Sequence, residues 1–374
     1  MKKVLILTAS TGEGHNQAAK SLADKFEEHG YSTYSMDLFK ETSTALNTIM
    51  SDGYKVLANN LPLVYGAMYR MFNRKSFNNR FLRYGLIMVK NRVLEEVKAI
   101  QPDAIVSTHP FGVGIISDLK ERKKIDCTFM SVVTDFKAHY AYVSPFVDAY
   151  ITGSEYTKDS LIDLNISADK IFAFGIPVKA EFQNCGERII SSEDKDLFKV
   201  LIMGGSMGSK DIAKVVKKLT VDADARYHLT VVCGNNIALQ EMLKEKYADV
   251  IKLKKLEILG FTKNVSQLMD DSDVIVTKPG GLTSTEALSK QIPMIIPFAI
   301  PGQEIENTEF LVSSGAAIHV KDLDELTTQM DLLLKDRDLY MTMIENMQNI
   351  SKHYSVDKIV DLTSHLIFEE EIYI

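Results

Sequence analysis

Cysteine is scarce in this sequence. Cys127, Cys185 and Cys233 are odd in number and far apart, with no Cys-x-x-Cys pair. That excludes a disulfide framework and a cysteine metal cluster, and it fits a reducing cytosol. Long apolar runs are also missing. The N-terminal Met1–Thr8 starts like a signal peptide, but polar Ser10-Thr11-Gly12-Glu13 cuts it short, so it reads as a buried strand. Ile292–Pro301 is apolar but broken by Pro293, Pro297 and Pro301. Neither reaches the roughly 18 residues of a spanning helix. Net positive charge is absent too: the 374 residues carry −7, which disfavours a general nucleic-acid binder. Two phosphate signatures are incomplete. Gln17 stands where a third glycine would complete Gly12-x-Gly14-x-x-Gly, and Gly204-Gly205-Ser206-Met207-Gly208-Ser209-Lys210 lacks a Walker ending.

What is present is organised around 277–307. Asp273–Val276 reads as a strand, and Pro279-Gly280-Gly281 as a turn that lets backbone approach a ligand. Thr283 or Ser284 is expected to cap the next helix, whose first-turn N–H groups suit a phosphate. Glu286, expected in that first turn, can accept hydrogen bonds from two sugar hydroxyls. Gln303, Glu304 and Asn307 follow the next strand and add amide and carboxylate groups. A Pro-Gly-Gly alone is usually just a turn, and a first-turn Glu usually a surface residue. The order and spacing of all the parts favour a nucleotide diphosphate carrying a sugar.

The chain also opens with strand, Gly loop, helix and strand. His15 sits at the predicted helix start, where the helix terminus would hold its imidazole neutral, as a general base requires. The bland alternative is a capping or surface histidine. His109 and Asp135 each follow a further strand, so with His15 they are catalytic candidates for one sheet edge, and Asp135 is the next candidate base after His15. Singly, a His-Pro is more often a turn and an Asp more often a cap. Strands are expected at 31–36, 104–107, 128–133, 149–152, 172–174, 200–203, 229–233, 258–262 and 316–320. Phe261 ends one of them, where backbone groups could meet a base. Gly205 and Ser206 offer N–H and hydroxyl donors to phosphate.

Residues 53–94 differ in kind. They carry eight Lys or Arg and no acid, which leaves −15 on the rest of the chain. Tyr65, Tyr69 and Phe72 alternate there with Arg70, Arg74, Lys75, Arg80 and Arg83. Aromatics among cations suit an anionic membrane surface. An ordinary amphipathic helical pair and a nucleic-acid surface are the competing readings.

Together these patterns predict an α/β protein of two Rossmann-like, doubly wound domains. The expected bounds are 1–178 for a first domain carrying the membrane stretch, 179–198 for a linker and 199–345 for a nucleotide-sugar domain. The final helices, 346–374, would pack back on the first domain.

Gly12-x-Gly14-His15, Thr108-His109-Pro110, Val133-Thr134-Asp135, Gly204-Gly205-Ser206, Pro279-Gly280-Gly281-x-Thr283-x-x-Glu286 and Pro301-Gly302-Gln303-Glu304-x-x-Asn307 carry a resemblance. With these motifs the chain resembles the diacylglycerol glycosyltransferases, in order and over nearly its whole length. It is more distantly similar to the enzyme that adds N-acetylglucosamine to lipid I. The resemblance implies a GT-B fold, with two domains facing a cleft, and a UDP-glucose or UDP-galactose substrate. It also implies inversion at the anomeric carbon, no cofactor or metal, and a diacylglycerol acceptor at the inner face of the cell membrane. It makes the first domain the acceptor domain and the second the UDP-sugar domain. It makes Glu286 a ribose ligand, Gly205 and Ser206 a diphosphate loop, and Gln303 and Glu304 sugar readers. Gly14 and His15 fall on the acceptor side. Plant members usually have Asp-Thr-Gly-Gly-Gly-His, whereas Ser10 and Glu13 take two of those slots here. Competing functions are transfer of N-acetylglucosamine to a polyprenyl acceptor, UDP-sugar epimerisation, and non-catalytic UDP-sugar sensing.

Overall fold

The computed structural model describes residues 1–10, 12–43, 86–183, 198–205, 211–221, 227–253 and 255–372, with nine single positions between 48 and 73. Ser206, Tyr65, Tyr69, Phe72, Arg74, Lys75, Arg80 and Arg83 lie outside the described residues, as does most of the predicted linker. The chain divides into two units. One comprises Met1–Ala180, Ile300–Glu306 and His353–Ile374, and the other Glu181–Ala299 and Asn307–Lys352.

The first unit holds six parallel strands: β1 (Lys3–Thr8), β2 (Ser32–Asp37), β3 (Ala104–Ser107), β4 (Thr128–Val132), β5 (Ala149–Ile151) and β6 (Ile171–Phe172). Their order is β2-β1-β3-β4-β5-β6. The four inner ones are largely apolar runs, as expected of parallel strands covered on both faces. Val4, Ile6 and Val106 pack with Leu22 and Phe26 of the helix Glu13–Glu28 on one face. Ile359 and Val360 of the C-terminal helix Val356–Ile372 join that face. Leu5, Leu7 and Phe129 pack on the other face with Val89 and Val93 of Ile87–Ile100 and Val113 and Ile116 of Pro110–Glu121. Phe26 is fully buried, so truncation to Ala would cost about 3–5 kcal/mol.

The chain runs outward from β1 to β2, then returns to the other side of β1 to form β3. The strand order therefore reverses between β1 and β3. Ligands of open parallel sheets bind outside the carboxyl ends at such a reversal. Leu7 pairs with Ser107 in the register, so the loops carrying His15 and His109 leave side by side.

The second unit repeats the plan with β7 (Phe198–Met203), β8 (Tyr227–Val232), β9 (Leu256–Leu259), β10 (Val274–Thr277), β11 (Met294–Ile296) and β12 (Ala317–His319). Their order is β12-β11-β10-β7-β8-β9, all parallel. Val200, Ile202 and Val231 pack against Val215 and Leu219 of Asp211–Val221 and Met330 of Leu326–Lys335. Here the reversal lies between β7 and β10. Met203 pairs with Thr277, so Gly204 and Lys278 emerge next to each other.

Two local expectations are corrected. β9 ends at Leu259, before the predicted 258–262, and Phe261 stands beyond it with 63% of its surface exposed. Lys90 and Arg92 of the basic stretch face other protein groups. Lys90 is buried and paired with Asp118 at 3.0 Å, and Arg92 pairs with Glu95 and Glu96.

Candidate active site

In the first unit, three histidines collect at the carboxyl edge of the sheet. His15 lies in the first turn of Glu13–Glu28. His109 is the N-cap of Pro110–Glu121, and His139 the N-cap of the short turn Tyr140–Tyr142. The His15 and His109 rings meet edge-on with centroids 4.5 Å apart.

Hydrogen bonds set each ring's tautomer. His15 Nδ1 lies 2.8 Å from the carbonyl oxygen of Thr108. A carbonyl only accepts, so Nδ1 carries the proton and Nε2 keeps its lone pair. His109 is the reverse: its Nδ1 accepts from the backbone N–H of Phe111 at 3.1 Å, which places its proton on Nε2. His139 does the same with Ala141 N–H at 3.3 Å. His15 is thus the one of the three whose Nδ1 carries the proton and whose Nε2 is basic. Thr134 Oγ1 lies 3.0 Å from the same His15 Nδ1 and 3.3 Å from the Tyr142 hydroxyl. It can share the Nδ1 proton and hold the ring plane.

All three rings are neutral for a common reason. Burial, opposed by the Thr108 hydrogen bond, lowers His15 to about 4 from 6.5. Some of its surface remains open to solvent, but the surrounding protein dominates. Burial and then the nearby His15 charge lower His139 to about 4. Burial and both neighbouring imidazoles lower His109 well below its ordinary value. The His15 ring is neutral, as expected from the sequence, but the cause is burial and not the helix terminus. Burial and the Asp135 charge push the Tyr142 hydroxyl up, so it stays a neutral donor.

Asp135 is buried just beyond β4 and accepts a hydrogen bond from the Gln303 side chain. Glu306, also in the 300–306 segment of this unit, pairs with Lys137 at 3.6 Å. Glu304 closes its own turn by accepting from Ile300 N–H at 2.8 Å. Gly14 sits beside His15 in the first helical turn. Leu61, Val64, Met71, Ile87 and Met88 are exposed, and so is Arg70.

In the second unit, Gly280 is the N-cap of the helix Gly281–Ser289, and no side chain caps that end. The expected Thr283 or Ser284 cap is corrected, because both lie inside the helix. Glu286 moves with them: it is the sixth residue, in the second turn and half-buried. Starting the helix at Gly281 directs its N-terminal dipole and N–H groups outward, as an anion site requires. Asn307 is fully buried and donates to the Pro279 carbonyl at 3.0 Å, so its amide nitrogen braces the glycine turn. Gly205, with φ +77, follows β7.

The sequence assigns no role to Thr134, Tyr142, His139 or Lys278. Thr134 falls inside a motif, His139 lies just beyond it and Lys278 falls inside 277–307, but only the strand order brings them to the site.

Two six-stranded parallel sheets, each with its loops at a reversal, are the architecture of a GT-B glycosyltransferase. The A. baumannii MurG crystal structure superposes with a TM-score of 0.66 at 16% identity, covering 98% of this chain and 100% of that one. S. aureus MnaA, solved with UDP, gives 0.61 at 13%, covering 96% and 95%. Residues 15–178 match the monogalactosyldiacylglycerol (MGDG) synthase model, and 199–360 match the glycosyltransferase family 28 C-terminal domain. The chain is 30% identical to the processive diacylglycerol beta-glucosyltransferase of Bacillus licheniformis, over 99% of this chain and 96% of that one. It belongs to the diacylglycerol glycosyltransferase family.

Proposed function

We propose that this protein transfers glucose from UDP-glucose to the free hydroxyl of diacylglycerol, giving a β-linked membrane glycolipid. Full-length similarity to a diacylglycerol glucosyltransferase supports the reaction and the sugar. The observation that carries the mechanism is the hydrogen-bond pattern that leaves Nε2 of His15 basic.

The acceptor oxygen attacks the anomeric carbon from the face opposite the leaving group. The new C–O bond forms as the bond to the β-phosphate oxygen breaks, and that bond's electron pair leaves with UDP. The acceptor proton passes to His15 Nε2, and the Thr108 carbonyl stabilises the imidazolium through Nδ1–H. Asp135, whose charge acts on the Tyr142 hydroxyl, places a negative charge beside the Thr134–Tyr142 pair that braces the ring. The uncapped Gly281 helix end and the Gly204-Gly205 loop receive the diphosphate. Glu286 binds the ribose hydroxyls. UDP-glucose is a substrate, and we assign no metal to the reaction, so excess chelator should leave turnover unchanged.

No helix among the described residues is long and apolar enough to cross a membrane. The exposed Leu61, Val64, Met71, Ile87 and Met88, with exposed Arg70 and the neighbouring Arg74, Lys75, Arg80 and Arg83 of the sequence, support peripheral attachment to anionic lipid at the inner face. Protein incubated with diacylglycerol in anionic micelles and, separately, UDP-glucose, UDP-galactose or UDP-N-acetylglucosamine tests the assignment. Glycolipid from UDP-glucose is expected. Product from UDP-galactose alone would change the sugar. No product from any donor, with intact UDP binding, would refute the transferase.

A further inference from the structure

We infer that Lys278 is the cation of the donor site: its ammonium holds the diphosphate of the nucleotide sugar and neutralises the charge that develops as UDP leaves. The inference rests on the UDP-sugar reading above and adds to it a residue that no sequence motif had marked.

Four observations meet at one place. First, Lys278 follows β10 and Gly204-Gly205 follows β7, the two strands that flank the order reversal of the second sheet. The pairing of Thr277 with Met203 brings both loops off the sheet at the same level. Second, the lysine stem runs along the glycine loop. A Cβ built on Gly205 would lie 3.0 Å from Lys278 Cε and 3.9 Å from Nζ. The missing side chain at Gly205 is what leaves room for the lysine. Third, the helix Gly281–Ser289 begins three residues beyond Lys278, with no side-chain cap on its N-terminus. Fourth, the Ser284 hydroxyl, in the first turns of that helix, is fully buried and has no hydrogen-bond partner. A buried hydroxyl without a partner is costly unless a ligand or water completes it.

A flexible ammonium, a glycine loop, an uncapped helix end and an unspent hydroxyl favour a compact, multiply charged anion over a neutral ring. The nucleoside part of the donor gains nothing from the lysine. The diphosphate gains a point charge that needs no fixed fork geometry. When the sugar–oxygen bond breaks, the β-phosphate oxygen takes the bonding electrons, and the ammonium faces a more negative partner than in the ground state. The acceptor proton goes to His15, and the lysine takes no part in that transfer.

The test compares uridine, UMP and UDP binding by calorimetry on the full-length chain, with Lys278→Met and Lys278→Arg. Methionine keeps the stem and removes the charge. UDP affinity should fall about 10- to 100-fold in Lys278→Met, uridine affinity should stay within about twofold, and the salt dependence of UDP binding should flatten. Arginine should recover most of the UDP affinity. Lys278→Gln gives the same comparison should the methionine variant fail to fold. Equal UDP affinity in wild type and Lys278→Met would overturn the lysine assignment and leave the donor reading standing. Parallel loss of uridine and UDP affinity would overturn it too, because it would mark a structural role. If wild-type protein bound no UDP, the donor reading would fall and this inference with it.

Discussion

The two sheets share one topology and put opposite chemistry at the same address. At the reversal of the first sheet, between β1 and β3, the loops deliver imidazoles held neutral by burial. At the reversal of the second, between β10 and β7, they deliver a lysine, glycines and an uncapped helix end. A neutral base is suited to accept a proton, and a positive cradle to accept a departing anion. Proton removal and leaving-group stabilisation, the two demands of glycosyl transfer, are thus assigned to two copies of one plan. The fold supplies the address, and a few residues after each strand decide the chemistry.

The largest effect that would break this division is at His15. His15→Ala should lower kcat about 10²- to 10⁴-fold and leave UDP affinity unchanged. A loss of UDP affinity would mean the base is a donor ligand and the division is false. Glu286→Ala should act in reverse, raising the KM for the donor about tenfold or more with a smaller change in kcat. Gly205→Ala probes the close approach of the lysine. It puts a Cβ at φ +77, 3.0 Å from Lys278 Cε, and combines about 1–3 kcal/mol of strain with displacement of the ammonium. UDP affinity and melting temperature should both fall.

A smaller effect sharpens the first side. Thr134→Val removes the hydroxyl beside His15 Nδ1 and leaves the Thr108 carbonyl in place. We expect kcat to fall about 3- to 10-fold with unchanged donor KM, and Thr134→Ser to restore it. The pH response has a definite sign. The proposed base, His15, acts when neutral and is lowered to about 4, so kcat/KM should persist below 6.5 and fail only as pH drops through the folded value. Stability moves the same way. The unfolded chain binds protons on His15 and His139 near 6.5 and the folded chain only near 4. Acidification across that window therefore favours unfolding, and the melting temperature should fall.

Much of the architecture was legible because parallel strands buried on both faces read as short apolar runs. Val4–Leu7, Ala104–Ser107 and Val274–Val276 need no alignment to be seen. β9 starts earlier than the pattern suggests, because Leu256 and Glu257 follow Lys254-Lys255 and do not extend an apolar run. The carboxylate Glu286 was identified, but its turn was misplaced. The pattern favours Thr283 as a cap, whereas the helix starts at a glycine with no cap side chain. His15 stood out because a Gly loop opens onto it. Its tautomer depends on the carbonyl of Thr108, 93 residues away, which no local pattern encodes. Lys278 was invisible for a similar reason. One lysine before Pro-Gly-Gly is commonplace until β10 is known to lie beside β7.

The measurement that tests the division most directly sets turnover and UDP affinity side by side in His15→Ala and Lys278→Met. The histidine variant is expected to lose kcat at least 100-fold with UDP affinity within twofold of wild type, while the lysine variant loses UDP affinity. Unchanged turnover in His15→Ala, or loss of UDP affinity in that variant alone, would contradict the division.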